Sequence, residues 1–239
     1  MSRLPIVYED DAMIAFDKPA GLLVAPDRWD KSAVNLMDLV HRHISPDCFN
    51  AHRIDRDTSG LLVCAKHRDA LAALSREFER RRVGKRYVCL ARGGPSEDER
   101  TVTLALAPDA ARPGCMKPVR RGRRAETRFR VLKRWRGCAL LEAVPVTGRT
   151  HQIRVHAAAS GFPIVGDPLY GDGRGIYLSD LKRNYKRKAE PEKPLIGRLA
   201  LHAESLDFVH PSTGERVTLR APLPHDFELA IKYLDRFAS

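Results

Sequence analysis

Short apolar runs flanked by charged or turn-forming residues recur along the chain, and they constrain the fold more than any other feature. Their lengths and their content of Val, Ile, Leu and aromatic residues are typical of β-strands. These runs are PIVYE, AMIAF, GLLVCAK, KRYVCLAR, ETRFRVLKR, CALLEAVPV, LHAESLDFV and ERVTLRAP. Short turns at Asp10-Asp11 and at residues 211–214 join two pairs as hairpins. We therefore predict an α+β fold with a largely antiparallel sheet.

Fewer segments carry the apolar spacing of helices. They are SAVNLMDLVHRHI, residues 68–82, a segment starting at about Thr150, and DFELAIKYLDRF. No long linker separates two halves of the chain. We therefore expect one domain over residues 1–239, with a mobile basic loop near 112–124 and a basic insertion near 172–198.

The charge balance points to a polyanionic partner. Lys and Arg number 42 against 30 acidic residues, which gives a net charge of +12 in 239 residues. Residues 112–136 hold eleven basic side chains and one acidic one, and residues 174–193 hold seven and three. A solvated surface is the simpler explanation, but such clustering favours phosphate binding.

The sequence lacks the signals that are typical of several other classes of protein. No apolar run approaches the roughly 20 residues that a membrane helix needs, and the N-terminus lacks the apolar segment of a signal peptide. The five cysteines form no CxxC pair, and no two histidines have helical zinc spacing. The glycine-rich residues 171–175 lack the lysine of a nucleotide-binding loop. We expect a cytoplasmic protein, and neither a metal nor a nucleotide cofactor.

The stretch HRIDRDTSGLL at residues 52–62 carries the strongest chemical signal. Asp55 and Asp57 each adjoin an arginine just before an apolar strand. A nearby guanidinium favours the ionised carboxylate, which can then act as a nucleophile or a base. The bland alternative is a loop of weak surface ion pairs. Spacing alone leaves the choice between Asp55 and Asp57 open.

This stretch resembles the catalytic motif of the RluA-type pseudouridine synthases, which reads HR-[LI]-D-x-x-TSG. Four other segments resemble motifs of the same family, in the family's order. They are DKPAGLLV at 17–24, KRYVCLARG at 85–93, VTGRTHQIRVHAAASGFPIVGDPLYG at 146–171 and RLALHAESLDFVHPSTG at 198–214. Together the matches span most of residues 5–222, and the ordered set is highly specific.

The resemblance implies a role for each of four residues. It places the family's catalytic carboxylate on Asp55 and a variable position on Asp57. Tyr87 falls on the tyrosine that stacks on the target uracil, and Arg149 on the basic partner of the carboxylate. Arg53 falls on the residue that fills the space left by a flipped base. Without the motifs, Tyr87 would be interpreted as a core residue and both arginines as surface cations.

The family's reaction isomerises uridine in RNA to pseudouridine, which requires no cofactor. The implied fold is a bent, mostly antiparallel mixed sheet with flanking helices and loops and an active-site cleft across the sheet. The implied partner is structured RNA, either large-subunit rRNA or tRNA. The family motifs begin at about Pro5, so we expect no N-terminal RNA-binding domain, and substrate choice by loops of the catalytic domain. A monomer is the default expectation.

Two alternatives remain at this stage. The first is a catalytically silent RNA-binding or ribosome-assembly protein on the same fold. The second is a phosphoryl- or acyl-transfer enzyme that uses Asp55, which would need a metal or nucleotide site that the sequence does not signal.

Overall fold

The computed structural model of the chain describes residues 4–26, 33–186 and 190–238. The strands of these residues are β1 Ile6–Glu9, β2 Met13–Lys18, β3 Phe49–Asn50, β4 Ser59–Ala65, β5 Gly84–Arg92, β6 Glu99–Pro108, β7 Met116–Val119, β8 Arg123–Trp135, β9 Cys138–Pro145, β10 Leu201–Val209 and β11 Arg216–Arg220. The helices are α1 Leu36–His43, α2 Arg68–Glu79, α3 Gln152–Ala159, α4 Leu178–Leu181 and α5 His225–Phe237. No helix within the described residues has the length and apolar character needed to cross a membrane.

The chain divides into two compact units. The first unit comprises Met1–Arg86 and His202–Pro222, and the second comprises Tyr87–Leu201 and Leu223–Ser239. Both are built on mostly antiparallel strands with helices beside them. The predicted α+β class with a largely antiparallel sheet is therefore confirmed.

The first unit is organised around β4, which is buried at every residue. Its strand order is β1-β2-β4-β10, with β3 paired to β4 and β11 paired to β10. The antiparallel register with β2 places Lys18 opposite Gly60. The parallel register with β10 places Gly60 opposite Ala203. Because the strand on each side contributes apolar residues, β4 lies within a continuous core.

The turn between β1 and β2 is fixed by Asp10. Its carboxylate accepts hydrogen bonds from the backbone N–H of Ala12 and of Met13, each at 2.8 Å. The Tyr8 hydroxyl lies 2.9 Å away and His210 Nε2 2.7 Å away. Burial raises the pKa of Asp10, but the four hydrogen bonds outweigh burial and lower this pKa to about 2. Asp10 therefore ties the first hairpin to the β10–β11 turn.

The second unit has the antiparallel strand order β5-β9-β8-β6-β7. Its core contains apolar residues of β5, β8 and β9 together with side chains from α3 and α5. Along β8 the side chains alternate: Ala125, Thr127 and Phe129 are buried, whereas Arg128 and Arg130 are exposed. This alternation of period two is what a sheet with one covered face requires.

Part of the predicted basic loop at 112–124 is strand. Residues 116–119 form β7, which pairs with one edge of β6, and β8 begins at Arg123 on the other edge. The chain crosses β6 between these strands, at Leu106. A Cβ on Gly122 would lie 2.8 Å from the Leu106 carbonyl oxygen, so the crossing requires glycine there. We call residues 116–124 the arginine arm.

The other differences from the sequence predictions concern short or mixed segments. The strands β3, β6 and β7 and the helix α4 were not predicted. The predicted helix from about Thr150 begins at Gln152, because His151 has a left-handed backbone with φ 53°. In the basic insertion near 172–198, a bridge between Ile176 and Ile196 brings the ends of the segment together. Residues 187–189 of this insertion lie outside the described residues.

Candidate active site

Asp55 lies in the loop that connects β3 to β4. The loop alternates in exposure: Arg53 is exposed, Ile54 is buried and Asp55 is half-buried. The backbone N–H of Thr58 donates to the Asp55 carbonyl oxygen at 3.2 Å and closes a turn directly before β4. The apolar anchor at Ile54 and this turn hold the Asp55 backbone at the start of a buried strand, which is the arrangement expected of a positioned functional side chain.

Lys18 fastens the residue that follows Asp55. Its side chain is fully buried, and Nζ donates to the carbonyl oxygens of Pro19 and Leu22 at 2.8 Å and of Arg56 at 2.9 Å. Gly21 adds two further hydrogen bonds, since its N–H donates to Arg56 O and its carbonyl accepts from Arg56 Nε. A buried ammonium needs such acceptors. The segment DKPAGLLV therefore serves as a support for the Asp55 loop.

His52 fastens the other side of this loop. Its Nε2 accepts a hydrogen bond from the Val63 N–H at 3.0 Å, and its ring stacks on Phe78 with the centroids 4.7 Å apart. Burial lowers the pKa of His52 to about 3, and the positive charge of Lys85 lowers it further. The imidazole is therefore neutral at physiological pH and acts as a fixed acceptor beside Arg53.

The Thr-Ser-Gly step of the motif joins the Asp55 loop to the sheet. The Ser59 hydroxyl lies 3.0 Å from Nδ1 of the buried His202 on β10. Gly60 has φ +109°, and a Cβ on it would lie 2.3 Å from the Ala203 carbonyl oxygen. Only glycine therefore permits the parallel contact of β4 with β10 at this point.

We expect Gly60→Ala to lower the free energy of unfolding by about 3 kcal/mol or more, because it combines a disfavoured φ with a clash against backbone. Gly214→Ala is a matched control in the same unit, since Gly214 has φ +74° and a Cβ added there would meet no atom within 4 Å. The control should lose only about 1 kcal/mol. Urea unfolding of both variants measures the difference, and equal losses would show that the contact with Ala203 is not limiting.

Tyr87 lies on β5 of the second unit, opposite Ala143 of β9. It is half-buried and packs against the core of that unit, whereas the next three residues of the strand are fully buried. A phenol ring at the point where a strand becomes buried presents an apolar face with limited rotamer freedom.

Arg149 lies in the loop between β9 and α3, and Gln152 shapes that loop. The buried Gln152 Oε1 accepts from the Thr147 hydroxyl at 2.6 Å and from the Arg149 N–H at 3.1 Å. Its Nε2 donates to the Glu126 carbonyl at 2.9 Å and to the Thr127 hydroxyl at 3.0 Å. The Gln152 side-chain amide therefore makes hydrogen bonds with the loop through its oxygen and with β8 through its nitrogen, and so anchors the loop to β8.

The structure thus places Asp55 and Arg53 in the first unit and Tyr87 and Arg149 in the second, each on a well-supported backbone. The sequence did not single out Gln152 or His52 as supports. A polar residue inside an otherwise apolar helical segment was the only available signal for Gln152, and that pattern is common in surface helices.

Comparisons with known proteins agree on one family. The family described as RNA pseudouridylate synthase matches residues 12–159. Ribosomal large subunit pseudouridine synthase C of Haemophilus ducreyi is 34% identical, over 96% of this chain and 68% of the relative. Ribosomal large subunit pseudouridine synthase D of Zymomonas mobilis is 35% identical, over 97% and 73% respectively.

A solved structure extends this agreement to the fold. Human RNA Pseudouridylate Synthase Domain Containing 1 has a TM-score of 0.73 and 28% sequence identity, over 93% of this chain and 84% of that chain. The matched family segment includes the supported loop of Asp55, Tyr87 on β5 and the Gln152-anchored loop of Arg149. The chain belongs to the RNA pseudouridylate synthase family, and it is an RNA pseudouridine synthase, an isomerase.

Proposed function

We propose that this chain isomerises specific uridines of structured RNA, in large-subunit ribosomal RNA or in tRNA, with Asp55 as the catalytic carboxylate. The observation that carries the proposal is the construction of the Asp55 loop. Side chains hold it on both sides, the buried Lys18 at Arg56 and the half-buried His52 at the β4 backbone. An ordinary surface ion pair needs no such support.

The chemistry that we assign to Asp55 is internal to the nucleotide. The glycosidic bond from ribose carbon 1 to uracil nitrogen 1 breaks, the base turns, and a bond forms to uracil carbon 5. Carbon 5 loses a proton and nitrogen 1 gains one, so the atoms balance. An ionised carboxylate can attack the ribose or the base, or accept a ribose proton, and each route requires a charged and oriented carboxylate.

The three other residues receive roles around this step. We assign to Tyr87 the stacking face for the target uracil, because its ring is held at the border of the core. We assign to Arg149 the charge that pairs with the carboxylate. Arg53, which is exposed two residues before Asp55, would enter the space that the flipped base leaves.

The arginine arm supplies charge for the RNA backbone. Its side chains Arg120, Arg121, Arg123 and Arg124 are exposed, and no carboxylate within the described part of the chain pairs with them. By contrast, Arg130 of the same strand β8 donates to Glu142 at 2.9 Å. Unneutralised guanidinium groups are the ones available for phosphate. We propose that the arm and residues 182–186 of the basic insertion contact RNA phosphates.

The names of the relatives indicate where to search for the substrate. Two relatives of similar identity are ribosomal large subunit pseudouridine synthases, one designated C and the other D. We therefore propose large-subunit ribosomal RNA as the first substrate to test. Since both designations match this chain at similar identity, we expect its own loops to select the uridine.

The role of Arg53 gives a specific prediction. Arg53→Ala should slow modification of folded RNA by about tenfold or more, because flipping a base out of a stack costs a few kcal/mol. An unstructured fragment with the same uridine should lose less than about threefold, since its base is already unstacked. Single-turnover rates on both substrates provide the comparison. Equal losses on the two RNAs would remove the flipping role.

Pseudouridine mapping tests the function directly. Total RNA from cells that lack this gene is incubated with the purified protein or with buffer alone, and pseudouridine is then mapped at single-nucleotide resolution. New sites in large-subunit ribosomal RNA or tRNA that appear only with the protein would establish the substrate. No new site in either RNA, despite salt-sensitive RNA binding, would favour the catalytically silent RNA-binding protein.

A further inference from the structure

The hydroxyl of Tyr170 joins the arginine arm to the start of α3. It accepts a hydrogen bond from the backbone N–H of Met116, the first residue of the arm, at 2.7 Å. His151 Nδ1 lies 2.7 Å from the same oxygen. Because His151 follows Arg149 by two residues, a single side chain connects the strand that carries the arm with the loop that carries Arg149.

Tyr170 is itself held by a buried ion pair. Its ring lies against the Arg154 guanidinium, 5.1 Å from the centroid. Arg154 binds both carboxylate oxygens of Asp167 at 2.7 and 2.8 Å, and both side chains are almost completely buried. Asp167 Oδ1 also accepts from the N–H of Leu169 and of Tyr170. Buried charges need such complete pairing, so the Arg154–Asp167 ion pair is held in place and the phenol ring packs against a fixed group.

The Tyr170 phenol stays protonated while it bonds both the Met116 N–H and His151 Nδ1. Burial raises the pKa of Tyr170 to about 12, although the hydrogen bond from Met116 opposes the rise. The Met116 N–H can only donate, so the oxygen accepts from it, and the same hydroxyl also forms the hydrogen bond with His151 Nδ1. His151 has φ 53°, a costly backbone conformation for a non-glycine residue that persists where neighbours fix it.

The arm and the Arg149 loop meet at a second point. Arg149 Nε lies 3.4 Å from the carbonyl oxygen of Arg124, the last residue of the arm. This contact is long for a hydrogen bond and is exposed, so it is the weaker of the two connections. Between these points the chain passes close to Leu106 at Gly122. Pairing with β6 orders the arm, and the Tyr170 connection is the stronger of these two direct links between the arm and the Arg149 loop.

We propose that Tyr170 is a positioning residue, whose hydroxyl keeps the arginine arm in register with the loop of Arg149 so that the arm binds RNA phosphates in a fixed orientation. This inference rests on the proposed contact of the arm with RNA. It assigns to a tyrosine outside the reacting groups an effect on RNA affinity, and it predicts coupling between Tyr170 and the arm arginines.

Tyr170→Phe keeps the ring on Arg154 and removes only the hydroxyl. We expect the KM for folded RNA to rise about tenfold and kcat to change less than about twofold, because the substitution weakens binding of the RNA phosphates by the arm and leaves the reacting groups in place. Arg120→Gln/Arg121→Gln should raise KM in the parent protein, and by a clearly smaller factor in the Tyr170→Phe background. Such non-additivity is the signature of coupling and can be measured by a double-mutant cycle.

Tyr8→Phe is the matched control. It removes a tyrosine hydroxyl that donates to Asp10 at 2.9 Å in the first unit, and its effect on KM should simply add to that of the arm substitutions. Additive losses for Tyr170→Phe as well, or a fall in kcat with unchanged KM, would overturn the proposal. The same cycle, measured on RNA dissociation constants, separates the role of Tyr170 from the proposed function. If the parent forms no pseudouridine but Tyr170→Phe and the arm substitutions still change RNA affinity non-additively, only the proposed function fails.

Discussion

Asp55→Asn is expected to abolish pseudouridine formation, with a loss of about 10⁴-fold or more in the single-turnover rate. Asparagine preserves the size and the hydrogen-bonding reach of the side chain but is neither a nucleophile nor a base. Removal of an essential nucleophile or base from other enzymes costs rate factors of this size, about 5 kcal/mol in activation free energy. Single-turnover assays with saturating protein on the RNA found by mapping provide the measurement.

RNA affinity and thermal stability should change little in Asp55→Asn. Three contacts that fasten the loop are made by Lys18 Nζ, His52 Nε2 and the Asp55 backbone carbonyl, and the substitution leaves these three in place. Asp57→Asn is the matched control, since Asp57 is also half-buried and lies in the same loop. Its rate should stay within about threefold of the parent, because we assign the catalytic role to Asp55 and none to Asp57. An inactive Asp57→Asn beside an active Asp55→Asn would reverse the assignment.

The Asp55 loop is a local feature, which explains why the sequence could indicate a loop directly before a buried strand. A continuous apolar run follows the loop and forms β4, which is buried at every residue. The lysine-proline-glycine turn was recognised as a motif, but its purpose depends on Lys18 meeting the carbonyl of Arg56, which is 38 residues away. Contacts over such separations depend on strand register, and no local pattern encodes that register.

The arginine arm shows the opposite case. Its composition indicated a mobile loop, since glycine, proline and charged residues dominate it. Pairing of β7 and β8 with opposite edges of β6 overrides this local preference and makes the segment ordered. The start of α3 at Gln152 rather than at about Thr150 follows from the left-handed backbone of His151, whose ring also contacts Tyr170. Charge clustering was detected by sequence, but the pairing of each arginine was not.

We expect mild acid to destabilise both units of the protein, at pH values well above those at which carboxylates titrate. Burial lowers the pKa of His52 to about 3, with a further contribution from Lys85, and burial lowers the pKa of His156 to about 4. Both folded-state values lie below the ordinary value of about 6.5, so the unfolded chain binds more protons. The stabilisation is complete above pH 6.5 and is lost as pH falls towards 4 and then 3.

At pH 5 each histidine should lower the free energy of unfolding by about 2 kcal/mol, and the two together by about 4 kcal/mol. The total is about 5–15 kcal/mol for a typical domain. Urea unfolding at pH 7.5 and pH 5.0, followed separately by probes in each unit, provides the measurement. Asp10 does not contribute in this window, because its pKa lies near 2 and its share is lost only as pH falls below about 4.

Two substitutions test whether the buried ring of His156 contributes to the loss. Neither nitrogen of His156 has a hydrogen-bond partner within the described residues, so His156→Leu should be no less stable at pH 7.5 and should recover about 2 kcal/mol at pH 5. His43→Gln, at an exposed position of α1, is the control for the loss of a histidine outside the core. If the two variants lost stability equally between pH 7.5 and 5.0, burial of His156 would not be a cause, and the acid sensitivity would have to come from His52 or from groups on the surface.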